Sequence, residues 1–209
     1  MNNSDPPRRP GRPSAEEIGE GERRGQILRV AADHFGRRGY AGVSLGEIAG
    51  EVGITKAALY HHFASKQDLY TAAMSQLLER IAARIREFGA GSGPVEDRVR
   101  RLAELAILHV PSQVSPDAIL RDTREHLTDA HRAQIAAAHA QMLDAFEALA
   151  REGIRTGDFR QFEPRLLGYC FLQLLHAFSG RRGQEAGFGQ RPAVVDQVVE
   201  LFLNGARRD

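Results

Sequence analysis

Apolar residues along this chain recur at helical spacing, and no sustained alternation of apolar and polar positions predicts a strand. Near the N-terminus, Ile27, Ala31 and Phe35 share one face of a predicted helix over residues 22–38, which Gly39 ends. The same spacing returns throughout the chain. The pattern therefore predicts an all-α protein of about nine helices.

Capping signals divide the first third of the chain into short helices. The S-x-x-E spacing of Ser44 and Glu47 predicts a capping box, in which hydroxyl and carboxylate satisfy free backbone N–H groups, at the start of a second helix. Thr55 caps a short third helix that reaches Phe63, and Ser65 begins a long fourth helix. Three short helices with a tight glycine-containing turn between the last two predict a helix-turn-helix.

Prolines at plausible first helical positions and glycines at plausible ends mark further helices in the second half. These predicted helices span 95–110, 116–127, 129–153, 164–179 and 192–204. The segment over 180–191 is predicted to be a flexible connection.

Composition excludes several classes of protein. Hydrophobic residues make up 42% and charged residues 26% of the 209, as in a soluble globular protein. No run approaches the ~20 apolar residues of a membrane span, and the N-terminus has no apolar region of a secretory signal. The single cysteine, Cys170, suits a reducing compartment. We therefore expect a cytoplasmic protein that does not bind membranes.

The stretch KAALYHHF at 56–63 has the composition of a recognition helix. Leu59 and Phe63 face the core, whereas Lys56 and Tyr60 share the opposite side. Side chains that can donate to guanine or phosphate, with a small residue that lets the backbone approach, suit a major groove. The candidate DNA contacts from this composition are Lys56, Ala57, Tyr60, His61, His62 and, at the start of the next helix, Lys66. The alternative interpretation is an ordinary solvated helix face.

Metal and catalytic interpretations of the two adjacent histidines are weaker. Neighbouring side chains on a helix point about 100° apart, so His61 and His62 do not easily share one ion. None of the eight histidines has another histidine four residues away, the spacing that zinc helices use. No nucleophile motif surrounds them. We expect no metal site, no catalytic residues and no cofactor.

Residues 27–70, ILRVAADHFGRRGYAGVSLGEIAGEVGITKAALYHHFASKQDLY, resemble the DNA-binding domain of the TetR family of transcriptional regulators. The resemblance implies an all-α homodimer with an N-terminal helix-turn-helix domain and a C-terminal ligand-binding and dimerisation domain. We assign these to 22–66 and 67–209, after a disordered basic arm at 1–21. It also implies that the following residues face DNA: Ser44, Thr55, Lys56, Ala57, Tyr60, His61, His62 and Lys66. Gly46 departs from the family, because many relatives carry a polar or basic side chain there.

The sequence RRPGRP at 8–13 resembles short Arg/Gly/Pro stretches that lie in narrow A·T-rich minor grooves, whose negative potential attracts arginine. Arg8, Arg9 and Arg12 are therefore candidate minor-groove contacts. The alternative is a disordered tail without a role in DNA binding.

A ligand pocket is implied for the second domain, and apolar helical stripes suggest its lining. The candidates are His109, His139, Met142, Phe146, Tyr169, Gln173 and His176. Tyr169, Gln173 and His176 form one polar stripe on an otherwise apolar helix, and core groups or a second subunit are favoured over a ligand as its partners. The mainly apolar lining favours an acyl or aromatic occupant. The helices over 164–179 and 192–204 are the candidate dimer interface, the latter through Val194, Val195, Val198, Leu201 and Phe202.

These expectations describe a ligand-responsive regulator, a repressor that a small, largely apolar effector releases from operator DNA. One alternative is a DNA-binding regulator without a small-molecule effector. The other is a small helical enzyme that binds an apolar substrate between the helices of the second domain, although no catalytic constellation supports it.

Overall fold

The computed structural model describes residues 15–89, 93–109, 126–178, 186–188 and 192–206. Every element in these ranges is helical, which confirms the all-α prediction. The helices are α1 (Ala15–Arg38), α2 (Leu45–Val52), α3 (Lys56–His62), α4 (Lys66–Gly89), α5 (Val95–Glu104, continued by a π-helical turn over Leu105–His109), α6 (Asp129–Thr156), α7 (Pro164–Phe178) and α8 (Pro192–Ala206). Most of the predicted helix over 116–127 lies outside the described residues.

The first helix is longer than the sequence pattern predicted. It begins at Ala15 rather than at residue 22, so residues 15–21 belong to α1 and not to a disordered arm. The sequence SAEE at 14–17 has the S-x-x-E spacing of a capping box, a signal that the apolar pattern does not register because the sequence AEEIGEG at 15–21 has no apolar stripe. The arm candidates Arg8, Arg9 and Arg12 lie outside the described residues.

Local capping begins α2 and α3 where the sequence predicts. Ser44 Oγ accepts from the Glu47 backbone N–H at 3.2 Å, and Glu47 Oε2 accepts from the Ser44 N–H at 2.9 Å. Thr55 Oγ1 accepts from the Ala58 N–H at 3.1 Å. Gly53 ends α2 with φ 75°, in the left-handed region that favours glycine. The start of each short helix is thus fixed by a local cap.

Helix α4 connects the two halves of the molecule. Its first turn contacts the start of α6, where Asp68 Oδ1 lies 3.0 Å from His131 Nε2. Its last residue, Gly89, lies against Leu149, because a Cβ on Gly89 would be 3.8 Å from Leu149 Cδ1. Helices α4 and α6 therefore run side by side in the same direction, and their facing stripes form much of the second domain's core.

Helices α6 and α7 approach each other closely at a glycine. A Cβ on Gly168 would lie 2.8 Å from the Phe146 carbonyl carbon and 2.9 Å from its oxygen. Helix α8 closes the core from the other side. The Phe171 and Phe202 ring centroids are 4.6 Å apart, and Arg160 N–H donates to the Ala206 carbonyl at 2.7 Å.

Candidate functional site

Helix α3 presents a polar face to solvent and an apolar face to the core. Leu59 and Phe63 are buried. Lys56, Ala57 and His61 are exposed, and Tyr60 is 46% exposed although it is a large aromatic residue. Thus four of the predicted DNA-facing side chains of α3 share one accessible surface. This surface carries one ammonium, one phenol and one imidazole.

Packing fixes the orientation of this surface. Phe63 lies at the C-terminal end of α3, and its N–H donates to the Leu59 carbonyl at 3.0 Å. The Arg24 guanidinium of α1 lies 4.9 Å from the centroid of the Phe63 ring. On the buried face of α3, Leu59 packs into the core. Helix α3 is therefore positioned by its C-terminal end as well as by its buried side.

An ionic network ties α2 to α1 beside the predicted DNA-facing surface. Arg38 donates to both oxygens of Glu47, at 2.9 and 3.1 Å, and also to His34 Nδ1 at 2.7 Å. The Arg38 hydrogen bond, reinforced by that of the Ser44 N–H, lowers the pKa of Glu47 to about 2. Glu47 consequently stays ionised near neutral pH. The Ser44 hydroxyl and the Thr55 hydroxyl are both exposed and both engaged as caps.

Lys66 and His62 are less accessible than the other candidates. The Lys66 ammonium lies 4.5 Å from the centroid of the Tyr40 ring, and burial lowers the pKa of Lys66. His62 is half-buried, with its ring 6.0 Å from that of His61 and 6.5 Å from that of Phe63. A phosphate contact by Lys66 would therefore have to compete with its contact to Tyr40.

The predicted pocket residues of α6 and α7 differ in how deeply they are buried. His139, Met142 and Phe146 of α6 are buried, and Gln173 and His176 of α7 are half-buried.

Tyr169 does not point inward. It is 41% exposed, because the opposite face of α7 carries the buried side chains. These are Leu167, Phe171, Leu172 and Leu175. Tyr169 therefore lies apart from the buried pocket candidates of α6, and its exposed position suits the alternative in which a second subunit is the partner of the polar stripe. The side chain of His109 lies outside the described residues.

Two buried hydroxyl groups on α4 were missed by the sequence analysis. Thr71 and Ser75 are 2% and 3% exposed. Within the part of the chain that the structure describes, neither Thr71 Oγ1 nor Ser75 Oγ has a hydrogen-bond partner. They lie one turn apart, in a stripe that continues with Leu78 and Ala82. Small polar residues at i, i+4 inside an apolar stripe were the signal that could have revealed them.

A charged groove of about 300 Å³ lies on the outer surface of α6. Its lining includes Glu147, Arg151, Glu152 and Arg155. These side chains pair with one another, with Arg151 at 2.5 Å from Glu147 and Arg155 at 2.7 Å from Glu152. This groove differs in chemistry from the apolar ligand site that the sequence predicts.

The two helices predicted to form the dimer interface expose fewer apolar residues than expected. Val194, Val195, Val198 and Phe202 of α8 are buried within their own subunit, so the prediction that they form an intersubunit face is wrong for these four. The exposed large apolar side chains on α7 and α8 are Leu166 (55%), Tyr169 (41%) and Leu201 (61%), of which Leu201 was predicted for this face.

Neither a metal-binding cluster nor a membrane-spanning helix is found in the part of the chain that the structure describes. No group of three or more His, Cys, Asp or Glu side chains there is arranged to hold a metal ion. No helix among the same residues combines the length and apolar character needed to cross a bilayer.

Comparison with known proteins extends the resemblance from the helix-turn-helix to nearly the whole chain. Residues 27–73 match the family described as "Bacterial regulatory proteins, tetR family". Residues 92–206, more than half of the chain, match the family described as "Tetracyclin repressor-like, C-terminal domain". The chain belongs to the TetR family of bacterial transcriptional regulators. Its N-terminal helix-turn-helix is therefore a DNA-binding domain.

Two relatives that match over nearly their full length are transcriptional repressors. The repressor KstR2 of Rhodococcus jostii is 24% identical over 194 residues, which cover 92% of this chain and 95% of the relative. KstR2 of Mycobacterium tuberculosis is 27% identical over 188 residues, with coverage of 90% and 94%. Among solved structures, AibR in complex with isovaleryl coenzyme A and operator DNA is 25% identical, with a TM-score of 0.64 and coverage of 86% and 97%.

These relatives place this TetR-family member among DNA-binding transcriptional repressors. They are regulators and not enzymes, which removes the enzyme alternative.

Proposed function

We propose that this TetR-family protein is a cytoplasmic repressor that binds a two-half-site operator as a homodimer and is released by an acyl coenzyme A thioester. Helix α3 supplies the base and phosphate contacts, and the core around α4 and α6 receives the acyl group. The DNA part of the proposal rests on the exposed face of α3. The effector part rests on the chemistry of the second domain.

The DNA contacts are proposed from accessibility and chemistry. Lys56 and Ala57 lie in the first turn of α3, where the helix N-terminus approaches base edges in helix-turn-helix complexes. Tyr60, His61 and the more buried His62 can donate to phosphates and fix the register of the helix. Ser44, Thr55 and Lys66 flank α3 and extend the same surface.

The buried hydroxyl groups of Thr71 and Ser75 carry the effector proposal. Leaving a buried polar group unsatisfied costs about 1–3 kcal/mol, so a ligand that accepts hydrogen bonds there recovers this free energy. The carbonyl oxygen of a thioester is such an acceptor. The buried apolar side chains of Met142 and Phe146 on the facing helix suit an acyl chain. The likeness to AibR, whose structure contains isovaleryl coenzyme A, supports this class of ligand.

The dimer is proposed to form through α7 and α8. Leu166, Tyr169 and Leu201 expose apolar surface on the two helices that the sequence analysis made the candidate dimer interface. An isologous contact would cover these side chains in both subunits. Light scattering at micromolar concentration should give the mass of a dimer, and a monomer would contradict this part of the proposal.

Fluorescence anisotropy on labelled DNA tests the function. The probes are the duplex upstream of the coding region, an operator selected by the protein from random duplexes, and an unselected duplex as control. Titration of the bound operator with isovaleryl coenzyme A and a series of longer acyl coenzyme A thioesters should weaken binding about 5- to 150-fold, the range of ordinary allosteric coupling. Free coenzyme A and free fatty acids are the matched controls.

Two outcomes would contradict the proposal in different ways. If no acyl thioester weakens operator binding, the regulator without a small-molecule effector is the better description. If Thr71→Val and Ser75→Ala release from DNA at the same thioester concentration as the unchanged protein, the hydroxyl groups are not the recognition element. Valine keeps the shape of threonine, so the first variant removes the hydroxyl with little change in packing.

A further inference from the structure

A cluster of polar and aromatic contacts joins the DNA-binding domain to the second domain at the base of α4. It consists of Tyr40, Gln67 and Asp68 on one side, all within residues 27–73 that match the DNA-binding family, and His126 and His131 on the other. Asp68 Oδ1 lies 3.0 Å from His131 Nε2, and Gln67 Nε2 donates to the His126 carbonyl at 2.5 Å. The His126 ring stacks on that of Tyr40, with centroids 5.0 Å apart and planes 23° apart.

Both partners of the Asp68–His131 pair are fixed by the caps of their own helices. Ser65 Oγ donates to Asp68 Oδ2 at 2.6 Å and accepts from the Asp68 N–H at 3.0 Å. Thr128 Oγ1 lies 3.0 Å from His131 Nδ1 and accepts from the His131 N–H at 3.3 Å. The contact therefore joins the first turns of α4 and α6 through side chains with little freedom to move. The Ser65 and His131 hydrogen bonds lower the pKa of Asp68, which keeps its carboxylate ionised.

The cluster lies where it can restrain the tilt of the DNA-binding domain about α4. Helix α4 passes continuously from the DNA-binding domain into the second domain, so a connection through α4 alone would let the DNA-binding domain tilt about the helix. Contacts to α6 and to the segment before it remove this freedom. The contacts of the cluster lie beside Lys66, whose ammonium is 4.5 Å from the centroid of the Tyr40 ring that stacks on His126. The orientation of α3 relative to the second domain is thus set where the cluster forms.

We infer that Tyr40, Gln67, Asp68, His126 and His131 form an interdomain latch that sets the spacing of the two recognition helices on DNA. Half-sites of helix-turn-helix dimers lie one helical turn, about 34–36 Å, or a multiple of it apart, and each added base pair also rotates one half-site about the DNA axis. A dimer with rigid latches accepts one spacing. A dimer with open latches accepts several. His131 is in this view a positioning residue that touches no DNA.

The inference rests on the proposed dimer but not on the acyl thioester, so its test needs no effector. The full-length protein is titrated onto three kinds of duplex at one salt concentration. These are the operator selected from random duplexes, versions with base pairs inserted or removed between its half-sites, and an isolated half-site. The unchanged protein should prefer the selected spacing by about tenfold or more.

His131→Ala should reduce this preference to a few-fold and leave half-site affinity unchanged, because α3 and its contacts stay intact. His131→Gln, which keeps a hydrogen-bond donor at similar reach, should restore most of the preference. Gln67→Ala removes a single contact of the latch and should give a smaller loss. It provides a second measurement if His131→Ala does not fold.

His34 supplies the matched control. Its Nε2 pairs with Glu51 Oε2 at 2.6 Å, so it is also a histidine–carboxylate pair, but it lies within the DNA-binding domain. His34→Ala should change half-site and full-operator affinity alike and leave the spacing preference intact. If His131 had only a structural role, His131→Ala would likewise change half-site and full-operator affinity alike and leave the spacing preference intact.

The outcomes separate the latch from the dimer. A spacing preference in His131→Ala or Gln67→Ala equal to that of the unchanged protein would overturn the latch alone. Equal loss in His131→Gln and His131→Ala would overturn its hydrogen-bonding basis. An unchanged protein that binds every spacing equally would contradict both the latch and the proposed dimer on DNA.

Discussion

Replacing Gly168 with alanine tests the closest backbone approach between α6 and α7. The added Cβ would lie 2.8 Å from the Phe146 carbonyl carbon and 2.9 Å from both the Phe146 oxygen and the Glu147 nitrogen. These are backbone atoms of a long helix, so no side-chain rotation can relieve the contact. Ordinary van der Waals contacts of a Cβ begin at 3.4 Å, which means that the helices must separate by about half an ångström.

This separation disturbs the core on both sides of the contact. The Phe146 and Phe171 rings, whose centroids are 5.9 Å apart in an edge-to-face arrangement, lie on the two helices involved. Overpacking of this kind costs about 1–3 kcal/mol of unfolding free energy. For a chain of this length 1 kcal/mol corresponds to about 2–4 °C in Tm, so Gly168→Ala should lower Tm by roughly 2–12 °C.

Thermal unfolding followed by circular dichroism measures the effect, with Gly50→Ala as the control. Gly50 also lies within a helix, but nothing approaches the position of its Cβ within 4 Å. Alanine there should raise the unfolding free energy by about 0.5–1 kcal/mol, because it restricts the unfolded chain without a clash. The two substitutions therefore have opposite expected signs. A Tm for Gly168→Ala at or above that of the unchanged protein would refute the close approach of α6 and α7.

Three further predictions concern the DNA-binding domain. Tyr60→Ala should weaken operator binding about tenfold in anisotropy titrations without lowering Tm, because Tyr60 is exposed; full affinity would exclude it from the interface. Gly46→Lys should steepen the dependence of log affinity on log salt by about one unit, because it adds a charge that can reach a phosphate. Gly46→Ala should leave this slope unchanged, because alanine adds no charge and its Cβ would meet only Ser44 Oγ at 3.7 Å. Glu47 has an ordinary pKa of 4.5 and a folded-state pKa of about 2. Its ionised form therefore stabilises the fold above pH 4.5, and this stabilisation is lost as the pH falls from 4.5 toward about 2. The difference in urea midpoint between the unchanged protein and Glu47→Gln should therefore be constant near neutral pH and shrink below about pH 4.5; a difference that grows on acidification would contradict this sign.

Local signals predicted much of the DNA-binding domain. The Ser44–Glu47 capping box and the Thr55 cap join residues three positions apart, so they form whenever the helix forms. The apolar positions of α3 likewise needed only helical spacing, and Leu59 and Phe63 are buried as predicted. The start of α1 was missed although its signal is also local, because residues 15–21 have a cap spacing without an apolar stripe.

Contacts between distant residues were beyond prediction from spacing. Lys66 was expected to reach a phosphate, but its ammonium lies on the ring of Tyr40, which the folding of α1 against α4 brings beside it. Helix α7 is apolar on most sides, so its sequence does not show that Tyr169 lies outward. Helix α8 similarly gave no sign that Val198 faces its own subunit.

The chain's pattern of apolar positions, caps and glycines was sufficient for the all-α class, for most of the helix boundaries and for the exposed face of α3. These features depend on interactions within about one helical turn, where covalent geometry fixes the distance between residues. The pairing of Asp68 with His131 and the burial of the Thr71 and Ser75 hydroxyl groups depend on how helices far apart in the sequence are packed. The angles and registers of that packing are set by the whole core together, and no local spacing encodes them.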